Sequence, residues 1–415
     1  MKSRLLAPLL LLGATLHAAD TLRVNLRQAD SLFLASNYRL LTAALNVDAQ
    51  RAQIVQARLY PNPVVFADFN LLDPENEKAL HIGRTGQKAL QVEQLILLGG
   101  KRQAQVDLAK TNAELAELEL EDLTRQLRFE LRKSYFAVGR HIFLLDRYTR
   151  QLEQLDTLIS AYSDQAAKGN VALKDLVRLK SEYLGLVNVR AQIFEALFAE
   201  QGTLQMLLRT DRFVLPDTAT AAYNRYVSRF DDAFLLDAAL SARPDYRATE
   251  RLVVFSNQNT RLQRALAKPD VSVFGAYDQR SGAFVNQVNI GASMPLPMWN
   301  RNQGNIQAAK IGEQMAALGR EELRTAIAVE IANRNRAYEQ ALAEYRKMLE
   351  VFNADYDRIL EGMTDNFTRG NVNLIEFLDF FQAYNEALGT VSDVRQQLGL
   401  TAEYLNFLTA TELFQ

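Results

Sequence analysis

The sequence contains no cysteine. That removes disulfides, cysteine–zinc sites, thiol nucleophiles and cysteine-linked lipid anchors. Histidine is nearly as scarce: His17, His81 and His141 stand far apart, with no HExxH spacing. Histidine catalysis and a histidine metal cage therefore lack support. The 415 residues include only 19 glycines and 9 prolines, which excludes collagen-like and low-complexity chains and favours long uninterrupted elements. Neither sign of charge dominates: 47 Lys+Arg face 49 Asp+Glu, so no basic surplus points to nucleic acid. No stretch holds 18 consecutive apolar residues, which rules out a membrane-spanning helix. A β-barrel stays open, because its strands are short and alternate. No nucleophile–base or phosphate-loop pattern occurs, so the chain reads as something other than an enzyme, without cofactor or metal site.

What the sequence does have begins with Lys2 and Arg4, the apolar run Leu5–Leu16, then Ala18 and Ala19. This is the order of a secretory signal peptide, assigned here to residues 1–19.

The remainder repeats itself. Asn37-Tyr38-Arg39 matches Asp245-Tyr246-Arg247, and Pro61 matches Pro269, both at an offset of 208. Gly99-Gly100-Lys101-Arg102-Gln103 matches Trp299-Asn300-Arg301-Asn302-Gln303 at 200, and Gly169-Asn170-Val171 matches Gly370-Asn371-Val372 at 201. The drop in offset assigns extra residues to the first repeat, in the polar stretch Asp73-Pro74-Glu75-Asn76-Glu77-Lys78, which reads as a loop. The expected organisation is a first repeat over 20–209, a linker over 210–229 and a second repeat over 230–415.

Each repeat shows the same layout: a helix (Leu26–Arg58; Asp232–Ala267), two extended segments, a very long helix, and a further helix after a Gly-Asn break. In the long helices apolar residues advance by threes and fours: Leu127, Leu131, Tyr135, Val138, Ile142 and Leu145, then Tyr338, Leu342, Tyr345, Leu349, Phe352 and Tyr356. That is a coiled-coil spacing. Between Lys101 and Lys168 there is no proline and only Gly139. Gly169-Asn170 and Gly370-Asn371 accept the left-handed backbone of a helix end, so each repeat closes as an antiparallel helical hairpin. The extended segments are Val64–Leu72, Lys88–Leu98, Val271–Gln279 and Phe284–Leu296. Each has about the ten residues of a tilted membrane strand. Four strands cannot close a barrel, and open edges are forbidden in lipid, so in a membrane several chains must contribute. Three would give twelve strands.

The leader, the two repeats and the Gly-Asn-Val breaks together resemble the outer membrane efflux duct family typified by TolC, over essentially the whole mature chain. Leu98-Gly99-Gly100-Lys101-Arg102 and Pro295-Leu296-Pro297-Met298-Trp299-Asn300-Arg301 are similar to its heavy-metal branch, typified by CzcC. The resemblance implies a mainly α fold with a β-barrel part. A homotrimer would form a twelve-stranded barrel in the outer membrane lipid and an α-helical barrel across the periplasm. Its partners would be a periplasmic adaptor and an inner membrane RND-type pump. It would act as a passive exit duct for heavy-metal cations. A drug or secretion duct of the same fold is the alternative, and a periplasmic coiled-coil adaptor a more distant one.

The resemblance also implies that Glu376 and Asp379, just past the second Gly-Asn break, line a gate at the periplasmic tip. Three apart, they share one helix face. Such a pair alone is ordinary solvated surface; as six carboxylates around an axis it would attract cations and repel anions. The first repeat holds Asp175 and Arg178 at these offsets. TolC's tip latch uses a tyrosine and an arginine, where this chain has Phe367 and Val372. Neither can make those polar bonds.

Overall fold

The computed structural model describes residues 21–217, 223–280, 284–352 and 355–414. The expected leader, 1–19, lies outside them. Strand β1 (Thr21–Val24) leads into helices α1 (Leu26–Ser36) and α2 (Tyr38–Arg58). Strand β2 (Val64–Phe69) is followed by the small hairpin β3 (Leu72–Asp73) and β4 (Lys78–Ala79), then by β5 (Lys88–Ile96). Helix α3 (Lys101–Ala167) runs for 67 residues. At ~1.5 Å per residue that is about 100 Å. Helix α4 (Leu173–Leu208), β6 (Phe213–Pro216), α5 (Asp232–Ala242) and α6 (Pro244–Leu266) come next. Strands β7 (Val271–Arg280) and β8 (Phe284–Ser293) precede α7 (Gln303–Val351), α8 (Asp355–Thr368) and α9 (Leu374–Thr409).

Three expectations need correction. The first helix of each repeat is two helices. Asn37 leaves the helical backbone and its side chain accepts from Arg39 N and Leu40 N, starting α2. In the second repeat Pro244, which has no N–H to lose, opens α6 after Arg243. The second long helix is also broken: Phe352 is extended (φ −100°, ψ 102°), and α8 begins afresh at Asp355. The apolar spacing runs straight through all three breaks, so periodicity alone reads past them. Finally, β1 and β6 pair in parallel, an element the sequence did not reveal.

The four long strands make one antiparallel sheet in the order β2-β5-β7-β8. Its register sorts side chains by face. Cross-strand rows Val65-Val92-Gly275-Ile290 and Ala67-Leu90-Tyr277-Val288 lie on one face, with Val273 and Ala292 beside them. The opposite face mixes Asp68, Gln91, Glu93, Ser272, Asp278 and Asn289 with Val64, Phe66, Leu95 and Phe274, while Lys88 and Gln94 lie at the ends of the first, more apolar face. The apolar face is uncovered among the described residues; Ile290 is 90% exposed and Val288 75%.

The principal core lies where the mid-sections of the helices meet β1 and β6. Leu131, Tyr135, Val138, Leu204, Leu342, Leu398 and Leu405 are buried there. At its heart is a charged hub. Arg132 of α3, 6% exposed, donates to Glu403 of α9 at 2.6 Å, to Asp30 of α1 at 2.7 Å and to Glu412 at 2.7 Å. Tyr226 and Arg225 also donate to Glu403, as does Asn406. The Tyr135 hydroxyl donates to Val24 O and Asp217 O, and the Tyr338 hydroxyl to Tyr226 O and Ser228 O. Both long helices thereby hold the connecting segment.

Arg132→Ala takes from buried Glu403 its closest cation and leaves it Arg225 at 3.2 Å, so unfolding should show a loss of about 3 kcal/mol. Arg132→Met with Glu403→Leu should recover part of it, because the two most deeply buried charges of the hub leave together.

Acid should act at two further points. Burial pushes the Asp245 carboxyl up, but the hydrogen bond from Arg243 and the neighbouring Arg125 outweigh it and hold it below its usual range. The Arg132 hydrogen bond does the same for Glu412. Carboxyls depressed in the folded state stabilise fully above their unfolded values of about 4 and lose that stabilisation as pH falls through the folded ones. The melting temperature should be flat above about pH 5 and fall below about pH 4, less steeply in Asp245→Asn.

Candidate functional site

The two helix-hairpin turns share one geometry. Gly169 (φ +76°) and Gly370 (φ +77°) are both left-handed. Asn170 N donates to Gln165 O at 2.9 Å, and Asn371 N to Asn366 O at 2.9 Å, satisfying carbonyls at the ends of α3 and α8. The asparagine side chains reinforce this, Asn170 Nδ2 donating to Gln165 Oε1 and Asn371 Nδ2 to Asn366 Oδ1. Gly169 and Asn170 thus stand between α3 and α4, and Gly370 and Asn371 between α8 and α9.

Beyond the turns the hairpins differ. Asn373 caps α9: its Oδ1 accepts from Ile375 N and Glu376 N, while Glu376 Oε2 accepts from Asn373 N at 3.4 Å. This capping box gives Glu376 a local structural duty besides any gating one. Asp379 stands exposed one turn further on. Ala172 starts α4 without a side-chain cap.

Between Glu376 and Asp379 the helix turns its apolar side inward. Phe377 and Phe381, each 1% exposed, join a second core with Leu155, Leu158, Leu179, Leu186 and Leu374. Phe367 is 3% exposed and stacks on Phe377 (4.4 Å between centroids, 10°) and on Tyr162 of α3 (5.4 Å, 15°). Val372 packs against the same core. Neither is placed to make polar bonds.

The sheet end is fixed by its own polar contacts. Lys101 is buried and pairs with Asp270 Oδ1 at 2.7 Å, pinning the start of α3 to the start of β7. Arg102 donates to Arg58 O and lies over the Tyr60 ring. Arg301 donates to Pro297 O, and Trp299 is 85% exposed. The loop expected between β2 and β5 is ordered by His81, whose ring nitrogens lie 2.6 Å from Asp73 Oδ2 and 3.0 Å from Thr85 Oγ1. Gln279 closes it, donating to Gly83 O, Arg84 O and Gly86 O. Among the described residues no three His, Asp or Glu side chains form a metal-sized cluster.

Residues 31–196 match the family model described as outer membrane efflux protein. The chain is 26% identical over 388 residues, 90% of this chain and 88% of the other, to the cobalt-zinc-cadmium resistance protein CzcC of Cupriavidus metallidurans. Residues 31–196 are thus an outer membrane efflux protein domain. In fold, the chain is similar to a membrane protein from Pseudomonas aeruginosa (TM-score 0.73, 16% identity, 92% of each chain). It is similar also to CusC, whose structures concern transmembrane channel formation (TM-score 0.69, 18% identity, 92% of this chain and 91% of that one). A mainly helical TolC-like architecture with a minor strand component is thus the fold of this chain.

Asn373→Ala should cost about 1 kcal/mol of α9 stability through loss of its cap. Hydrogen exchange should quicken at Ile375 and Glu376 and stay unchanged at the start of α4.

Proposed function

We propose that the protein is the passive exit duct of a tripartite efflux system, without catalytic activity. In this reading it is a homotrimer whose three sheets close a twelve-stranded outer membrane barrel, with residues 20–209 and 230–415 acting as tandem repeats around an equatorial 210–229 segment. A periplasmic adaptor and an RND-type inner membrane pump supply cargo and energy, and metal cations are the cargo.

The observation that carries the reading is the two-faced, open-edged sheet. Its more apolar face, with Val65, Val92, Val288 and Ile290, is suited to lipid, and the face that holds Asp68, Glu93 and Asp278 to a water-filled lumen. Edges β2 and β8 have no further strand partner among the described residues, and unpaired backbone groups are not tolerated in a bilayer. Other copies must supply the missing pairs, and the repeated order β2-β5-β7-β8 allows a head-to-tail ring. Cation cargo is supported by charge: among the described side chains on the polar face of the strands, the charged ones are Asp68, Glu93 and Asp278, all acidic. Glu376 and Asp379 would add carboxylates at the far end. The cobalt-zinc-cadmium resistance named for the CzcC relative points the same way.

Native mass spectrometry of the detergent-purified protein should give a trimer, and planar bilayers should show cation-preferring conductance. Asp68→Asn, Glu93→Gln and Asp278→Asn combined should lower the cation-to-anion permeability ratio by roughly threefold without abolishing conductance. Deleting the gene should sensitise cells to divalent metals, with rescue by the intact gene. Sensitisation to dyes or antibiotics alone would overturn the metal cargo and leave the duct.

A further inference from the structure

A small cavity of about 170 Å³ lies among α3, α9 and the connecting segment. Gly139 and Arg140 line it from α3, Ser392 and Arg395 from α9, and Tyr223 from the connecting segment. It sits at the middle of α3, away from the sheet and from the hairpin turns.

The two arginines are incompletely satisfied. Nε of Arg140 and Nε of Arg395 are both buried, and neither has a hydrogen-bond partner among the described residues. Arg140 pairs with Asp393, whose side chain is 63% exposed. Arg395 pairs with no described carboxylate. Buried donors left without acceptors cost free energy, and like charges lining one cavity add to that cost. The nearby phenols do not offset it. Burial pushes the Tyr223 hydroxyl up to about 12 and raises that of Tyr345, while the Arg395 charge pulls both the other way. Both phenols therefore stay neutral near pH 7, and the Tyr345 hydroxyl is itself buried without a partner. Gly139 is the one glycine of the 67-residue α3. Glycine weakens a helix interior relative to alanine, and here its missing side chain leaves the cavity open.

We propose that this cavity binds a small tetrahedral oxyanion of the phosphate class, held by Arg140 and Arg395 with the hydroxyls of Ser392 and Tyr223. The guanidinium fork matches the oxygen spacing of such an anion, and it supplies the acceptors that the two buried Nε–H groups lack. Two guanidinium groups against one exposed carboxylate leave the surroundings net positive, which repels metal cations. Donors converging from two helices and a third segment suit a tetrahedral anion better than a planar one. The volume falls below the roughly 300–1,000 Å³ of pockets for drug-sized molecules, so the ligand is small. The site is independent of the duct reading, and its test involves no conduction.

Melting of the full-length protein in detergent, in chloride and in phosphate at equal ionic strength, tests the site. Phosphate should raise the wild-type melting temperature by about 2–3 °C. Arg395→Gln should lose that rise. In chloride alone it should melt no lower than wild type, because it removes an uncompensated cation. Arg395→Lys, which keeps the charge and loses the fork, should need about tenfold more phosphate for the same rise. Arg150→Gln, an exposed arginine of the same helix, should respond like wild type. Equilibrium dialysis of the wild-type protein with labelled phosphate should show saturable binding of one anion per chain, a readout that stands even if a variant fails to fold. An equal rise in Arg395→Gln would overturn the site, since phosphate stabilises proteins generally by exclusion from their surface. Arg395→Gln melting lower than wild type in chloride would make Arg395 a structural residue and overturn it too. So would the absence of saturable binding, or its displacement by chloride as readily as by sulfate.

Discussion

The buried guanidinium of Arg132 is the point on which the molecule's connectivity turns. Its partners come from opposite ends of the chain: Asp30 from the first helix, Glu403 and Glu412 from the last stretch. A charge so deeply buried is tolerated only with its partners in place. The hub therefore favours one relative placement of α1, α3, α9 and the connecting segment over merely greasy alternatives. The parallel pair β1–β6 and the two tyrosine hydroxyls depend on that placement, because they lie within the same layer. Strands leave on one side of the layer and the hairpin turns on the other.

From that layer the two halves diverge. They share turn geometry at Gly169 and Gly370, and both α4 and α9 end in a left-handed residue, Arg209 and Ala410. They differ immediately past the turn: α9 starts capped and acidic, while α4 starts uncapped and bears Arg178. A single carboxylate, Glu376, closes the capping box that starts α9. The aromatic stack beneath it couples the same turn to the other hairpin.

Legibility tracked the range of the interaction. The 67-residue α3 was readable because proline is absent and the apolar spacing is sustained. The turns were readable from Gly-Asn. The four long strands were placed within a few residues of their ends. The breaks at Asn37, Arg243 and Phe352 were not, because the apolar spacing continues across each. Lys101 reads in sequence as a flanking cation, since its partner Asp270 is distant along the chain. The contacts of His81 with Asp73 and Thr85 lie in a stretch that reads simply as polar loop. Nothing in the sequence connects Tyr162 with Phe367.

By itself, then, the sequence determined the elements, their repetition and the alternation of side chains along each strand, because these depend on residues close together in the chain. Only the tertiary structure decided which strand faces share a side, which charges are buried together and which rings stack. Those depend on register and on pairings across a hundred or more residues, where composition and periodicity carry no information.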